Sequence, residues 1–377
     1  MERQRDSETE GRRDRRVERW RRLCLFVFLS LCLSASLSLC LPVSLSLRLP
    51  TSGQRLEWGA QSSGGLAKLS GVFFVDRDRG WIVGSNGTLL ATENGGAKWL
   101  RQTLPERQKS EALNDVWFFN SDRGLLLGEY GLFNRKGDTD WSRRGFLLMS
   151  KDRGANWEAG TLQRPPDSIF LRMSFANDQI GWAVGESGTI QRTIDGGATW
   201  TAQDAPTRKL LYDVAAIDDN HAWVVGAGGT ILRTVDGGRN WDEQSSGVIQ
   251  ALRAVHFVGP QRGWAVGAKG TIISTANGGA RWGRQTSGVE LNLNDVVFPK
   301  AKGGPGEGQR EGQKEGWIAG DRGLLLHTTD GGATWEDVEL SARANLSRLF
   351  FVAPDCGWVV GTSGAIFKYE QFTNQQK

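Results

Sequence analysis

The sequence predicts an all-β fold, a seven-bladed β-propeller in which an N-terminal strand pairs into the last blade. Three observations predict it. The composition combines 50 Gly and 16 Trp with only 3 Tyr and 3 Met, which is typical of many tight turns with an aromatic anchor beside each. A turn motif recurs with a basic period of 41 residues, and two strand-like segments each occur seven times.

The repeats define the blades. The turn motif, seen best as "TIDGGATW" (193–200), ends in a Trp at Trp99, Trp157, Trp200, Trp241, Trp282 and Trp335. A Leu-led apolar segment begins at residues 69, 113, 171, 211, 252, 293 and 346. A segment of the form GW-x-V-G follows it, beginning at residues 80, 124, 181, 222, 263, 316 and 357. A period near 40 with four strand signals is that of a propeller blade. We predict that the Leu-led strand is innermost, that GW-x-V-G comes second, that "GTIQRT" (188–193) and its equivalents come third, and that the Trp starts the outer strand.

The sequence contains seven predicted inner strands but only six complete turn motifs, so one outer strand is not yet accounted for. "EWGAQSSG" (57–64) matches "NWDEQSSG" (240–247), and Trp58 precedes Trp99 by one period of 41 residues. The N-terminal strand is therefore predicted to pair beside residues 364–372 and to close the ring, which removes a free sheet edge. The propeller domain spans 55–372, with insertions at 128–145 and, charged and Gly-rich, at 299–315; residues 373–377 form a tail.

A leader precedes the propeller, with a basic n-region (1–22) and a hydrophobic stretch (23–50). It predicts an export signal that is removed. The alternatives are a membrane anchor, because residues 23–41 are just long enough to span about 30 Å of bilayer, and a plastid transit peptide or a wrong start codon. The leader accounts for the whole net charge of +4, so the basic pI indicates no nucleic-acid binding. We expect an exported protein in the periplasm, the thylakoid lumen or the extracellular space.

The turn motif predicts a structural role rather than catalysis. The side chain at its acidic position can accept hydrogen bonds from its own turn, and Asn replaces Asp there twice, which a catalytic acid would not tolerate. The predicted turn residues are Asn94, Asp152, Asp195, Asp236, Asn277 and Asp330.

Enzymatic and metal chemistry find little support. Sialidases use an aromatic-Arg-Ile-Pro motif and a Tyr nucleophile, but no such motif occurs, and Tyr130, Tyr212 and Tyr369 have no recognisable context. "DRDRG" (76–80) begins like a calcium loop and lacks the later ligands. Cys356 is the only Cys outside the leader, which leaves no intrachain disulfide after processing. We expect no catalytic residue, metal or cofactor.

Two long copies, "GWAVGESGTIQRTIDGGATW" (181–200) and "AWVVGAGGTILRTVDGGRNW" (222–241), together with the leader resemble the photosystem II stability/assembly factor family. The resemblance covers about residues 55–370. It implies a non-enzymatic lumenal or periplasmic propeller that binds a newly made reaction-centre core protein through an Arg-rich face. A recognition propeller for glycans or envelope proteins in a non-photosynthetic bacterium, and a degenerate sialidase-like glycosidase, are the alternatives.

A partner-binding site is predicted where the inner strands open at one end of the ring. The residue after each leading Leu is polar or cationic, and the loops that lead into the strands add further cations. The predicted partner-binding residues are Asn114, Arg172, Tyr212, Arg253, Asn294, Arg107, Arg164, Arg208 and Lys209. A solvated rim without a partner is the alternative. We expect a monomer that binds a protein client, no nucleic acid, and a membrane only through the leader or the client.

Overall fold

Seven four-stranded antiparallel sheets are the architecture of the chain. The computed structural model describes residues 56–131, 144–160, 168–299, 314–341 and 343–371, without the side chains of residues 56 and 57. The leader (1–22 and 23–50), the tail (373–377), Arg164 and the greater part of both insertions lie outside the described residues. The inner strands of successive blades contact one another, and those of the seventh and first blades do so too. The predicted seven-bladed propeller is confirmed.

Each blade is built from four strands, numbered here from the axis outwards. The inner strands are Leu69–Phe74, Ala112–Phe118, Phe170–Phe175, Leu211–Ala216, Leu252–Phe257, Leu293–Val297 and Leu346–Ala353. The second strands are Gly80–Gly84, Gly124–Glu129, Gly181–Gly185, Ala222–Gly226, Gly263–Gly267, Gly316–Gly320 and Cys356–Gly361.

The third strands are Thr88–Thr92, Gly145–Ser150, Ile190–Thr193, Ile231–Thr234, Ile272–Thr275, Leu325–Thr328 and Ala365–Gln371. The outer strands are short in the first six blades: Leu100–Arg101, Glu158–Ala159, Thr201–Gln203, Asp242–Glu243, Gly283–Gln285 and Glu336–Asp337. Single 3-10 turns occur at Glu106–Gln108, Glu186–Gly188, Ala227–Gly229, Ala268–Gly270, Asp321–Gly323 and Thr362–Gly364. In the described residues, no helix is long or apolar enough to cross a membrane.

The ring is closed by Leu56–Ser62, which forms the outer strand of the seventh blade. It pairs antiparallel with Ala365–Gln371, and Trp58 lies opposite Tyr369. Because the first and last parts of the propeller share one sheet, no blade at the closing point has an unpaired third strand. This confirms the predicted closure.

Aromatic stacking joins most neighbouring blades. The Trp of the second strand lies against the Phe that ends the next inner strand, as in Trp81–Phe118 with ring centroids 3.5 Å apart and Trp223–Phe257 at 3.8 Å. Trp81 and Trp223 are buried. The Trp residues of the GW-x-V-G segments therefore form the packed core between sheets, where each contributes a large apolar area.

One strand boundary differs from the prediction. The outer strands of the first six blades begin one residue after the motif Trp, for example at Thr201 after Trp200. The Trp200 indole Nε1 donates to the Gly197 carbonyl at 3.0 Å. In the second and third blades such a bond holds the ring in the turn. In the first, fourth, fifth and sixth blades the indole donates instead to a Gln side chain in or directly after the outer strand of the preceding blade.

Candidate functional site

The two ends of the propeller are built from different connections. At one end, which we call the loop face, each loop into an inner strand meets the turn that follows the second strand; the Ala227 N–H donates to the Leu210 carbonyl at 2.9 Å. At the other end, the turn face, the repeated turn motif meets the first hairpin of its blade, and the Gly196 N–H donates to the Gln179 carbonyl at 2.8 Å. The predicted partner-binding residues that the structure describes belong to the loop face and to the channel mouth beneath it.

Each inner strand carries a β-bulge at its start on the loop face. The pairing skips one residue after the first, as between Leu211 and Asp213, which leaves Tyr212 unpaired in the ladder. A bulge places two residues of one strand opposite one of its partner and turns a side chain away from the sheet. Asn114, Tyr212, Arg253 and Asn294 all occupy this position and are half-buried.

The bulge corrects the predicted alignment of the third blade. Phe170 pairs with Gly185 there. Arg172 pairs with Val184, so the bulged residue is Leu171. The strand contains two consecutive large apolar residues, and the first of them, rather than Leu171, fills the anchoring position. The prediction that Arg172 occupies the same position as the bulged residues of the other blades was wrong. Arg172 follows the bulge and lies one position deeper in the channel.

The residues that directly follow the bulge in the seven inner strands form a ring around the axis, and this axial ring contains both acidic and basic side chains. Its seven residues are Gly71, Asp115, Arg172, Asp213, Ala254, Asp295 and Arg348. Each carboxylate accepts a hydrogen bond from a backbone N–H of the next blade, Asp115 from Met173 at 2.9 Å, Asp213 from Val255 at 3.0 Å and Asp295 from Leu349 at 2.7 Å. These hydrogen bonds therefore connect three pairs of neighbouring blades at the axis. These residues were not predicted from the sequence, although an Asp occupies the third place of the Leu-led segment in the second, fourth and sixth blades.

Burial governs the electrostatics of the ring. Removal from water raises the pKa of Asp295 to about 6, although the Arg348 guanidinium opposes the shift. Burial also raises the pKa of Asp115, against the opposing effect of Arg172. Arg348 Nη1 lies 3.3 Å from an oxygen of Asp295 and 3.6 Å from one of Asp213. Asp295 accepts a hydrogen bond from Arg348, whereas Asp213 Oδ1, among the described residues, has only the longer ion pair with Arg348 and no hydrogen bond. Arg348 therefore links carboxylates of the fourth and sixth blades within a buried network.

The mouth above the ring is polar. Arg253 donates to the side-chain oxygen of Asn294 at 2.6 Å, and the Asn294 amide donates to Asp321 at 2.9 Å. Asn114 donates to the Phe170 carbonyl at 3.0 Å. Within the described ranges, Arg253 forms no ion pair with a carboxylate. Its partner is a neutral amide, which leaves its positive charge for an external anion.

The rim of the loop face adds exposed cations. Arg208 and Lys209 lie in the loop before the fourth blade, and no carboxylate of the described residues pairs with either. The Arg107 guanidinium lies 4.9 Å from the centroid of the Tyr130 ring, a cation–π contact. Arg164 lies outside the described residues. The structure thus brings Arg208, Lys209 and Arg253 to neighbouring blades of one face.

The six turn residues on the opposite face share one geometry. The side-chain oxygen of each accepts a hydrogen bond from the backbone N–H four residues later, in Asn94, Asp152, Asp195, Asp236, Asn277 and Asp330. Hydrogen bonds from the backbone and side chain of Asn240 lower the pKa of Asp236 to about 2. Gly196 and Gly197 have φ of 69° and 86°, which side chains rarely adopt. Each such Asp is bound as an anion inside its own turn.

The seventh blade lacks this motif, and among the described residues its outer Trp58 lacks the indole hydrogen bond that the outer Trp of each other blade makes. Trp58 lies in an aromatic cluster with Trp317 and Tyr369, at centroid distances of 5.3 Å to each. The indole Nε1 of Trp58, the indole Nε1 of Trp317 and the Tyr369 hydroxyl are buried without a hydrogen-bond partner in the described part of the chain. No group of three or more His, Cys, Asp or Glu in the described ranges is placed to hold a metal ion.

Comparison with known proteins identifies the family. The model of the photosynthesis system II assembly factor YCF48 family matches residues 53–158, 195–254 and 246–344. The photosystem II assembly protein Ycf48 of Thermosynechococcus vestitus is 27% identical over 345 residues, covering 83% of this chain and 84% of that protein. A photosystem II assembly lipoprotein Ycf48 of Trichormus variabilis is 48% identical over 59 residues, covering 15% of this chain and 17% of its own length.

The fold has solved counterparts. A structure of YCF48 bound to a D1 peptide superimposes with a TM-score of 0.66 at 23% identity, covering 83% of this chain and 94% of the other. At this identity the likeness shows the fold. The family model, in contrast, matches most of the propeller sequence. The chain belongs to the Ycf48 family of photosystem II assembly factors.

Proposed function

We propose that the chain assists photosystem II assembly by binding a segment of a reaction-centre protein on its loop face. Membership of the Ycf48 family carries the proposal, and a solved relative holds a D1 peptide. A D1-type segment is therefore the client that we propose here. The glycan-recognition alternative has no comparable support, since no observation in the chain favours a sugar.

The charge distribution supports the loop face as the binding surface. Arg208, Lys209 and Arg253 have no carboxylate partner among the described residues, and they lie on adjoining blades. Unpaired cations at a channel mouth attract an anionic segment and steer its approach. Asn114, Asn294 and Tyr212 add hydrogen-bonding groups and an aromatic surface around the same opening. Arg107 extends the surface towards the second blade.

Arg172 has a different role in this proposal. Its guanidinium donates to the Asn114 carbonyl at 2.8 Å. It therefore positions the mouth of the second and third blades from below, while the client contacts the residues above it.

We propose that the role involves no catalysis. The repeated carboxylates are bound in their turns, and the low pKa of Asp236 leaves no proton to donate near neutrality. Asn94 and Asn277 make the same hydrogen bond without a charge. A hairpin lock explains both residue types, whereas an acid or a nucleophile explains only one.

We propose that the leader exports the chain. Relatives named assembly lipoproteins are consistent with an exported protein held at a membrane. Whether the anchor is a lipid on the leader or the uncleaved hydrophobic stretch can be distinguished by the mass of the mature N-terminus.

The experiment measures binding of the full chain to overlapping 15-residue peptides that cover the D1 protein of Thermosynechococcus vestitus. We expect at least one peptide to bind. The double variant Arg208→Glu/Lys209→Glu should weaken that binding by roughly a hundredfold, because two favourable charge contacts become repulsive. Failure of every D1 peptide to bind would contradict the proposed client.

The matched control reverses charge on the turn face. Lys98 and Arg281 are exposed there and follow the turn residues Asn94 and Asn277. Lys98→Glu/Arg281→Glu changes the net charge equally and should leave peptide binding unchanged. Equal weakening by both double variants would show that only the overall charge of the protein matters, and the loop face would lose its assignment.

A further inference from the structure

One turn of the loop face differs from its counterparts. The turn after each second strand needs a residue with positive φ, and five of the six described turns use a side chain there: Asn86, Ser187, Lys269, Arg322 and Ser363, with φ between 54° and 60°. The fourth blade has Gly228, with φ of 65°. Its backbone is exposed and carries no Cβ. A second molecule can therefore approach this backbone more closely than that of the other five turns of this kind.

Two loops of different chemistry flank the Gly228 turn. On one side, the aliphatic part of the Lys209 side chain lies over the turn, with its Nζ 3.7 Å from where a Cβ of Gly228 would lie. On the other side, the Val248 carbonyl packs 2.0 Å from the Cβ position of Gly229. The next residue, Ile249, is 85% exposed. The flat turn therefore has a cation on one side and an unpartnered aliphatic side chain on the other.

Ile249 stands out within its repeat. The equivalent loop positions carry Arg208 before the fourth blade and Glu290 before the sixth. Only Leu66, before the first blade and 84% exposed, is an aliphatic counterpart among the described loops. The turn beside Leu66, at Ser363, has Ala344 where the Gly228 turn has Lys209, and Arg343 is the cation that lies beside it.

The loops and strands around the turn carry more cations than acids. Arg208, Lys209, Arg253 and Lys269 belong to the loops and strands of the fourth and fifth blades, and none forms an ion pair with a carboxylate that the structure describes. Asp204 and Glu290 bound this stretch on its two sides. The surface thus combines a cationic field with one exposed aliphatic side chain at a turn that has no Cβ of its own and lies under the Lys209 side chain.

We propose that the Gly228 turn, with Lys209 and Ile249 on either side, is the docking platform for an extended acidic segment of the client that carries an aliphatic side chain. The segment runs over Gly228, its carboxylates contact Lys209 and Arg253, and its aliphatic residue packs on Ile249. This rests on the proposed function for the client, and it adds the place and the chemistry of recognition. Removal of Ile249 from water adds affinity that charge alone does not provide.

The test uses two substitutions whose controls exist in the same chain. Gly228→Asn introduces a residue that the first blade already has at this position, so the turn keeps its conformation while a side chain covers the platform. Ser363→Asn introduces the same residue at the equivalent position of the seventh blade, where a side chain is already present. Ile249→Ser removes the aliphatic anchor, and Leu66→Ser removes the equivalent side chain on the other side of the ring.

The readout is fluorescence anisotropy with the D1 peptides that bind the unaltered full chain. We expect Gly228→Asn and Ile249→Ser each to weaken binding roughly tenfold, and both controls to leave it unchanged. Replacing the acidic residues of the bound peptide by Asn and Gln, or its aliphatic residues by Ser, should weaken binding to the unaltered chain to a similar extent.

The outcomes separate the two proposals. If no D1 peptide binds, the proposed function fails and the platform fails with it. If peptides bind but Gly228→Asn and Ile249→Ser bind as the controls do, the client stands and the platform is wrong. Selection of basic peptides would also overturn the platform, because the surface would then repel its occupant.

Discussion

Replacing Trp58 by Ala tests whether the ring depends on its closing strand. The indole contacts Trp317, Tyr369 and Phe351, at centroid distances of 5.3, 5.3 and 6.0 Å. Three aromatic pairs contribute roughly 3 kcal/mol beyond area burial, and truncation of a buried Trp costs about 3–5 kcal/mol. Because Trp58 is only half-buried, we expect the lower end, about 3 kcal/mol. Differential scanning calorimetry should show a melting temperature lower by roughly 4 to 5 °C.

The same variant should weaken the pairing between Leu56–Ser62 and Ala365–Gln371. Amide hydrogen exchange in Ala365–Gln371 should accelerate, since this strand pairs with Leu56–Ser62. The control is Trp282, which has the corresponding outer position in the fifth blade and packs in a cluster of the fourth and fifth blades. Trp282→Ala should leave exchange in Ala365–Gln371 unchanged. A fall in melting temperature of less than about 2 °C in Trp58→Ala, or equal hydrogen exchange in both variants, would show that the stability of the ring does not depend on Trp58 in the closing strand.

Three further predictions concern titration and reactivity. Replacing Asp236 by Ala should lower the melting temperature at pH 7 more than replacing it by Asn. The melting temperatures of Asp236→Asn and the unaltered protein should converge as pH falls from about 4 towards 2, because a lowered folded-state pKa gives stability that protonation removes. The raised pKa of Asp295 acts in the opposite direction, because the folded state holds the proton more tightly than the unfolded state does. The contribution of Asp295 to the free energy of unfolding should therefore fall as pH rises from about 4 to 6. An Asp295→Asn variant should lack that fall in urea titrations. Burial raises the pKa of the Cys356 thiol, so it should react with a disulfide reagent only when the protein unfolds, and fast labelling of native protein would contradict its buried position.

Repetition made the fold predictable. The positions of glycine and tryptophan recur with each blade, so one period read correctly sets all seven, and the match of Trp58 to the other outer Trp residues revealed the closure. Strand identity followed from the same spacing. Pattern alone was insufficient at the third inner strand, where Phe170 and Leu171 are both apolar and only the pairing shows which one anchors the blade.

The candidate site was less accessible from sequence. Sequence position separates the loop cations from the turn cations, but it does not say which of them already has an anionic partner. Arg172 and Arg253 look equivalent in sequence, yet Arg172 belongs to the buried ring, whereas Arg253 contacts a neutral amide. The importance of Gly228 is likewise invisible in a chain of 50 glycines, because it depends on what the equivalent turns carry and on which loops flank it.

The closing sheet also constrains how the chain reaches its native state. Leu56–Ser62 is synthesised before any other part of the propeller, while its partner strand Ala365–Gln371 is synthesised about 300 residues later. Six blades can form in order from local contacts as the chain emerges, but the seventh needs one of the longest-range contacts that the fold contains. The early strand must therefore remain unpaired until the last blade arrives. A partner that shields its exposed edge during that interval would act on the folding of the assembly factor itself.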